Sequence, residues 1–379
     1  LFKKIIVFLF ILIFIINISV CSVQAQPKVE VTSQSAILMD QSSTRVLFAK
    51  NEHERLPMAS TTKVMTALLA LEMGDLNSRV VVSKRAAETE GSSIWLEEKE
   101  VKTLEELVYG LMLRSGNDAA VAIAEHLAGS VEDFSVLMTQ RARQIGAFNT
   151  QFKNPHGLHD EEHFTTAYDL GLITCEALKI PKFKEILATK EKRITWPGHE
   201  WDRFLRNQNK FLELYPGGDG VKTGWTTPSG PCYVGSATRD QWQLVTVVLN
   251  SNNIWDDTVL LLDYGFENWS PNELLTSKQF IKTLEVEGGS RDKVRLLTAE
   301  SFTIPLRGEE EGQVEYQVLI DKSPIRAPLA ENQVLGEITI VLGGEELSSI
   351  DLVAGESISR KSLLTTFLNS LKNWLIYAI

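Results

Sequence analysis

Ser60 and Lys63 stand three residues apart in Pro57-Met58-Ala59-Ser60-Thr61-Thr62-Lys63-Val64, directly ahead of an apolar helical pattern. Residues i and i+3 share one face of a helix, so the serine hydroxyl and the lysine amine can lie side by side. A serine needs a base to become a nucleophile, and lysine serves when burial or a cationic neighbour lowers its pKa. A helix N-terminus adds free backbone N–H groups and the positive end of a dipole, both useful to a developing oxyanion. The bland alternative is a serine that merely caps the helix. Spacing alone does not decide, because Ser290-Arg291-Asp292-Lys293 has the same form among short strands, where i and i+3 do not meet.

Two further triplets add to the first. Ser115-Gly116-Asn117 lies between two expected helices, where a helix stop followed by an Asn cap is the simpler reading. Ser251-Asn252-Asn253 repeats the Ser-x-Asn form, so this triplet too is weak alone. Lys222-Thr223-Gly224 closes the run Asp219-Gly220-Val221, and its simpler reading is a strand entering a turn. Together the three segments offer a hydroxyl, an amide, an ammonium and a second hydroxyl. Gly224 allows close backbone approach to a ligand. That set suits acyl transfer with recognition of an anion. A competing pattern is His159-Asp160-Glu161-Glu162-His163, which fits a zinc-binding His-x-x-Glu-His arrangement. Pro155 and Gly157 precede it and helical periodicity begins only after Thr166, so it reads as a solvated loop leading to an N-cap. No metal and no cofactor is expected.

The elements that must position these residues follow from the patterning. Residues 35–50 read as a hairpin around Asp40-Gln41-Ser42-Ser43, and residues 61–73 as a buried helix, apolar all round. Thr103 with Glu106, Asn117, Ser130 with Asp133, and Thr166 with Asp169 open a series of helices. Cys232 to Thr238 and Trp242 to Leu249 pair across Arg239-Asp240-Gln241, and Asp256 to Phe266 reads as a helix. Strands thus open and close the domain while helices fill its middle. The expected class is α+β, an antiparallel sheet flanked by helices, followed by a small all-β domain of short alternating strands. The expected divisions are 1–25, a signal peptide; 26–270, the catalytic domain; 271–356, the β-rich domain; and 357–379, an amphipathic helix.

The ends and the charge bound the setting. Lys3-Lys4, an apolar run from Ile5 to Ile16 and Val23-Gln24-Ala25 have the form of a secretory signal cleaved after Ala25. Leu363, Leu364, Phe367, Leu368, Leu371, Trp374 and Leu375 recur on one helical face near the C-terminus, which suits lying in a membrane interface. The chain is expected outside the cytoplasm, on the outer face of the cytoplasmic membrane. A formal net charge of −11 argues against nucleic-acid binding, which needs a basic face. Cys175 and Cys232 read as two buried free thiols rather than a disulfide framework.

The ordered set Ser60-x-x-Lys63, Ser115-Gly116-Asn117 and Lys222-Thr223-Gly224 resembles the penicillin-recognising serine enzymes. It is most similar to the secreted D-alanyl-D-alanine carboxypeptidases, the low-molecular-mass penicillin-binding proteins. The wording AILMDQSSTRVLFAKN, PMASTTKVMTALLALE, LMLRSGNDAAVAIAEHLAG, FKNPHGLHDEEHFTTAYDL and DGVKTGWTTPSG extends the resemblance from about Ala36 to Phe266. It implies that Ser60 is the acylated nucleophile and Lys63 its base. Ser115 and Asn117 would relay protons and hold the peptide. Lys222 and Thr223 would bind the terminal carboxylate, and the backbone N–H groups of Ser60 and Trp225 would form an oxyanion hole. The implied substrate is a peptidoglycan stem peptide ending in D-Ala-D-Ala, with β-lactams as covalent inhibitors. A DD-endopeptidase acting on cross-links would use the same residues, and a wall-binding protein with an idle site is the non-enzymatic alternative. Two departures stand out. Some relatives carry an arginine after the strand that here ends near Leu249, whereas Asn250-Ser251-Asn252-Asn253-Ile254-Trp255-Asp256-Asp257 has none, and a bulky Trp225 follows Gly224.

Overall fold

The computed structural model describes residues 29–321 and 324–361. The signal-like segment 1–25 and residues 362–379 of the expected C-terminal helix lie outside the described residues. Residues 357–361, expected to open that helix, are not helical, because Ile358 and Arg360 pair with Leu329 and Gly289 of the β-rich domain. In chain order the elements are β1 (Ser35–Asp40), β2 (Val46–Lys50), a 3-10 turn (Ala59–Thr62), α1 (Lys63–Met73), β3 (Arg79–Val81), α2 (Lys84–Ala87), β4 (Val101–Thr103), α3 (Leu104–Arg114), α4 (Asn117–Ala128), α5 (Val131–Ile145), α6 (Ala167–Ala177), α7 (Pro181–Ala188), β5 (Glu191–Ile194), β6 (Arg203–Arg206), α8 (Phe211–Leu214), β7 (Gly218–Thr226), β8 (Gly230–Arg239), β9 (Trp242–Leu249) and α9 (Ile254–Asn268). A second run of strands follows: β10 (Ser270–Leu275), β11 (Phe280–Glu287), β12 (Lys293–Thr298), β13 (Phe302–Leu306), β14 (Val314–Ile320), β15 (Ile325–Arg326), β16 (Val334–Leu342) and β17 (Glu345–Ala354).

The site stands on a five-stranded antiparallel sheet of order β2-β1-β9-β8-β7. Every residue of β1 is buried, so both of its faces are covered. Side chains alternate across the sheet. Leu38 faces Gly265 of α9, while Ile37 and Met39 face Gly171 of α6. At both crossings the glycine lets helix and sheet touch: a Cβ on Gly171 would lie 2.5 Å from the Met39 sulfur, and one on Gly265 2.9 Å from Leu38. The expected α+β sheet with helices on both faces is therefore what the chain builds.

The expected caps are present. Thr103 and Glu106 form a reciprocal capping box, and the Ser130 and Thr166 side chains accept from the backbone N–H groups of Asp133 and Asp169. The β8–β9 turn is tighter than expected. Arg239 pairs with Trp242, which leaves Asp240 and Gln241 alone at the tip, both with positive φ as such a turn demands. Helix α1 starts at Lys63 rather than 61, because Ala59–Thr62 winds more tightly. Helix α7 and the β5–β6 hairpin were not foreseen. In β6 the polarity pattern is inverted: Arg203 is buried against Glu100 at 2.5 and 2.7 Å and under Trp196, while Phe204 is exposed.

The second run of strands forms a six-stranded sheet, β14-β16-β17-β12-β11-β15, antiparallel except for β11 with β15, and a separate antiparallel pair, β10 with β13. Its core includes Leu296, Ile340 and Leu352. Arg45 of the hairpin and Arg307 stack on Trp269 at 4.8 and 4.5 Å, and Arg45 also donates to the Pro305 carbonyl. Cys175 and Cys232 are both buried free thiols. Among the described residues no helix is long and apolar enough to cross a membrane.

Candidate active site

The 3-10 turn brings Ser60 to the mouth of α1, and Lys63 opens the helix proper. Ser60 is not a plain cap. The helix N-cap is Thr62, and the Ser60 Oγ lies 3.0 Å from Lys63 Nζ. Lys63 is fully buried, and its Nζ has two more partners: Asn117 Oδ1 at 2.7 Å and the His156 carbonyl at 2.6 Å. A neutral amine carries two hydrogens and one lone pair. In that form the two carbonyl oxygens would take the hydrogens and the lone pair would face Ser60 Oγ.

The surroundings favour that form. Burial is the larger force holding Lys63 well below the usual lysine range, and the Lys222 ammonium adds to it, while Asp118 pulls the other way. Lys222 is itself pushed down to about 7 by burial. Its Nζ donates to the Thr223 carbonyl at 2.9 Å.

The second wall comes from the junction of α3 and α4. Ser115 closes α3 in the left-handed region, φ 59° and ψ 31°, and is 6% exposed. Asn117 is the first residue of α4, but its side chain caps nothing. It bridges instead: Oδ1 accepts from Lys63 and Nδ2 donates to the Glu90 carbonyl at 2.7 Å. Its backbone N–H meets the Ser92 carbonyl, and buried Asp118 accepts from Ser93 Oγ and from the N–H groups of Ile94 and Leu96. The loop of residues 88–100 is thereby fastened to the start of α4.

The third wall is β7, the edge strand of the sheet. Alternate N–H groups of an edge strand point away from its neighbour. Lys222, Thr223, Gly224 and Trp225 lie opposite Val234, Tyr233, Cys232 and Pro231. A Cβ on Gly224 would come within 2.9 Å of the Ser60 nitrogen and 3.0 Å of the Met58 carbonyl oxygen, so this glycine is what lets β7 close on the turn that carries Ser60. Trp225 is 65% exposed at the rim. The three sequence segments thus meet: Ser60, Lys63 and Asn117 through hydrogen bonds, Gly224 by backbone approach, and Lys222 through its charge on Lys63.

The segment 250–257 serves turn and cap. Asn250 bonds Gln34, Ser251 bonds Asp257, and Asn253 caps α9. Among the residues missed by sequence reasoning is His156, whose contribution is a backbone carbonyl. The only trace of it in the chain is the neighbouring Gly157, held at φ +90° against the Ala59 carbonyl. The solvated-loop reading of the His-x-x-Glu-His segment holds for residues 159–162, which are exposed, but not for His163, which is buried with its ring on Thr62. Among the described residues no group of three His, Cys, Asp or Glu side chains is placed to hold a metal ion.

Comparison with known proteins gives the family and the fold. Residues 21–253 match the D-alanyl-D-alanine carboxypeptidase family, and residues 269–360 match the penicillin-binding protein 5 C-terminal domain. The chain is 32% identical to the D-alanyl-D-alanine carboxypeptidase DacF of Bacillus subtilis (strain 168), over 90% of each chain. It is 30% identical to the D-alanyl-D-alanine carboxypeptidase DacA of Escherichia coli (strain K12), covering 90% of this chain and 88% of that one. Its fold is similar to crystal structures of penicillin binding protein 5 from Haemophilus influenzae, with a TM-score of 0.74, 28% identity, and coverage of 87% of this chain and 98% of that one.

Proposed function

The chain belongs to the D-alanyl-D-alanine carboxypeptidase family and is a serine-type hydrolase of the penicillin-binding class, and from that premise we propose how its own residues do the work. Ser60 is the nucleophile and Lys63 its base. Oγ passes its proton to the Nζ lone pair as the bond to the penultimate D-Ala carbonyl carbon forms. The N–H groups of Ser60 and Trp225 receive the oxyanion. Collapse breaks the C–N bond, and the proton held on Lys63 goes to the departing D-Ala amine by way of Ser115. Water then attacks the acyl-enzyme, gives its proton to Lys63, and Oγ recovers one as the shortened stem peptide leaves. Asn117 holds Lys63 in place through Oδ1, and the Nδ2 hydrogen not given to the Glu90 carbonyl is offered to the peptide. Lys222 and Thr223 hold the terminal carboxylate, while Gly224 gives the substrate access to the edge of β7 and Trp225 covers the rim.

The observation that carries this reading is the three-way contact of Lys63 Nζ with Ser60, Asn117 and the His156 carbonyl, in a setting that favours the neutral amine. The test is D-alanine release from a diacyl-Lys-D-Ala-D-Ala peptide. Release that persists in EDTA and vanishes in Ser60→Ala is the expected result. Loss with EDTA and rescue by zinc would sink it. The apolar face of residues 363–375 supports, by sequence pattern, membrane association at the outer face of the cytoplasmic membrane. Deleting residues 360–379 should move the protein to the soluble fraction, and retention at the membrane after confirmed signal cleavage would count against that assignment.

A further inference from the structure

His163 is buried and stands outside the steps above. Its Nδ1 accepts from the backbone N–H of Lys153 at 3.0 Å. A neutral imidazole whose Nδ1 accepts carries its proton on Nε2. Nε2 lies 2.8 Å from Thr62 Oγ1, so the ring donates to that hydroxyl. Thr62 Oγ1 in turn donates to the Ala59 carbonyl at 2.7 Å. Every hydrogen in this run has one direction. Burial pushes the ring down to about 4, which keeps it neutral at ordinary pH.

The run ends at an informative atom. Ala59 has φ +48°, a region that residues with a side chain enter seldom and at a cost. Gly157 lies against the same carbonyl: a Cβ there would fall 1.9 Å from Ala59 O and 2.8 Å from Thr62 Oγ1. The carbonyl is gripped from both sides. A peptide unit is planar, so the Ala59 C=O and the Ser60 N–H turn together. Fixing one aims the other.

We propose that His163 is a positioning residue for the oxyanion-binding N–H of Ser60, acting through Thr62 and the Ala59 carbonyl. This rests on Ser60 as nucleophile, the reading given above. A packing role alone would involve the edge-on contact of the ring with Phe152, at 5.7 Å, and would move stability without moving transition-state binding.

The variants separate the two roles. His163→Phe keeps the ring and removes both hydrogen bonds. His163→Gln keeps an amide N–H that can reach Thr62. Thr62→Val removes the hydroxyl at nearly constant shape. Each is measured for acylation rate by a penicillin, counted by intact mass, for the Ki of a peptide boronic acid that forms a tetrahedral adduct on Ser60, and for Tm. A misaimed oxyanion donor should slow acylation by about 10- to 100-fold in His163→Phe and in Thr62→Val. Boronate affinity should weaken by the same factor while KM stays near the parental value. The double variant should lose no more than the worse single one, since both cut one run, and His163→Gln should recover most of the rate. A folded His163→Phe that acylates at the parental rate overturns the proposal, as does slower acylation with unchanged boronate affinity. If His163→Phe does not fold, Thr62→Val at the parental rate overturns it. D-alanine release by Ser60→Ala would instead overturn the nucleophile assignment, whatever these variants do.

Discussion

Ser60-Thr61-Thr62-Lys63 and Ser290-Arg291-Asp292-Lys293 have the same spacing of the same two residue types, yet the chain treats them in opposite ways. The first lies in a 3-10 turn running into α1, with its lysine fully buried and its serine on the amine. The second lies where β11 turns into β12. All four of its residues are exposed, and Ser290 Oγ accepts from Ser359 at 3.1 Å. A lysine in water stays protonated and is no base. Burial, the neighbouring Lys222 and two carbonyl acceptors are what would let Lys63 serve as the proposed base. The two Ser-x-Asn triplets teach the same lesson. Asn117 bridges Lys63 and the Glu90 carbonyl, whereas Asn253 accepts from the Asp256 N–H and starts α9.

The comparison can be broken most directly at the serines. Ser60→Ala should lower D-alanine release by about 10⁴-fold or more, because a nucleophile has no substitute, while Ser290→Ala should release it at the parental rate in the same assay. The lysines come next. Lys63→Met should cost about 10³-fold in kcat, in the range of a lost general base, and Lys293→Met should cost nothing; equal losses would refute the difference in setting. At the asparagines the readouts should separate. Asn117→Ala should slow acylation by about 100-fold through a loosened base. Asn253→Ala should leave acylation alone and remove about 1 kcal/mol of stability as a lost cap, read by urea unfolding.

The smallest effect is on pH. In its proposed role Lys222 would hold a carboxylate only when protonated, and burial sets it at about 7 in the free enzyme. Since kcat/KM reports the free enzyme, it should fall by roughly tenfold per pH unit above that value. A bound carboxylate raises the lysine's pKa, so the limb in kcat should lie higher. On the acid side, protonation of Lys63 should end activity. Lys222→Arg should erase the alkaline limb, and an unmoved limb would assign it to another group.

Much of this was legible because side chains carry it. The three motifs, the Thr103, Ser130 and Thr166 caps and the glycine of Lys222-Thr223-Gly224 all sit where their types demand. The parts that were not legible are made of backbone. The carbonyls of Glu90, Ser92 and His156 shape the site, and any residue carries a carbonyl. The β5–β6 hairpin hid for another reason. Arg203 is inside because Glu100 pairs with it and Trp196 covers it, a tertiary partnership that reverses the local polarity pattern. His163 was hidden similarly, since its neighbours at 159–162 are exposed and only the fold sets its ring on Thr62.

The central claim is that surroundings rather than spacing make one Ser-x-x-Lys segment reactive. It is tested most directly by letting the full chain react with a penicillin, digesting it, and mapping the acylated residue by mass spectrometry. One label on the Ser60 peptide, unchanged in Ser290→Ala and absent in Ser60→Ala, is the predicted result. A label on the Ser290 peptide, or one that survives in Ser60→Ala, would contradict it.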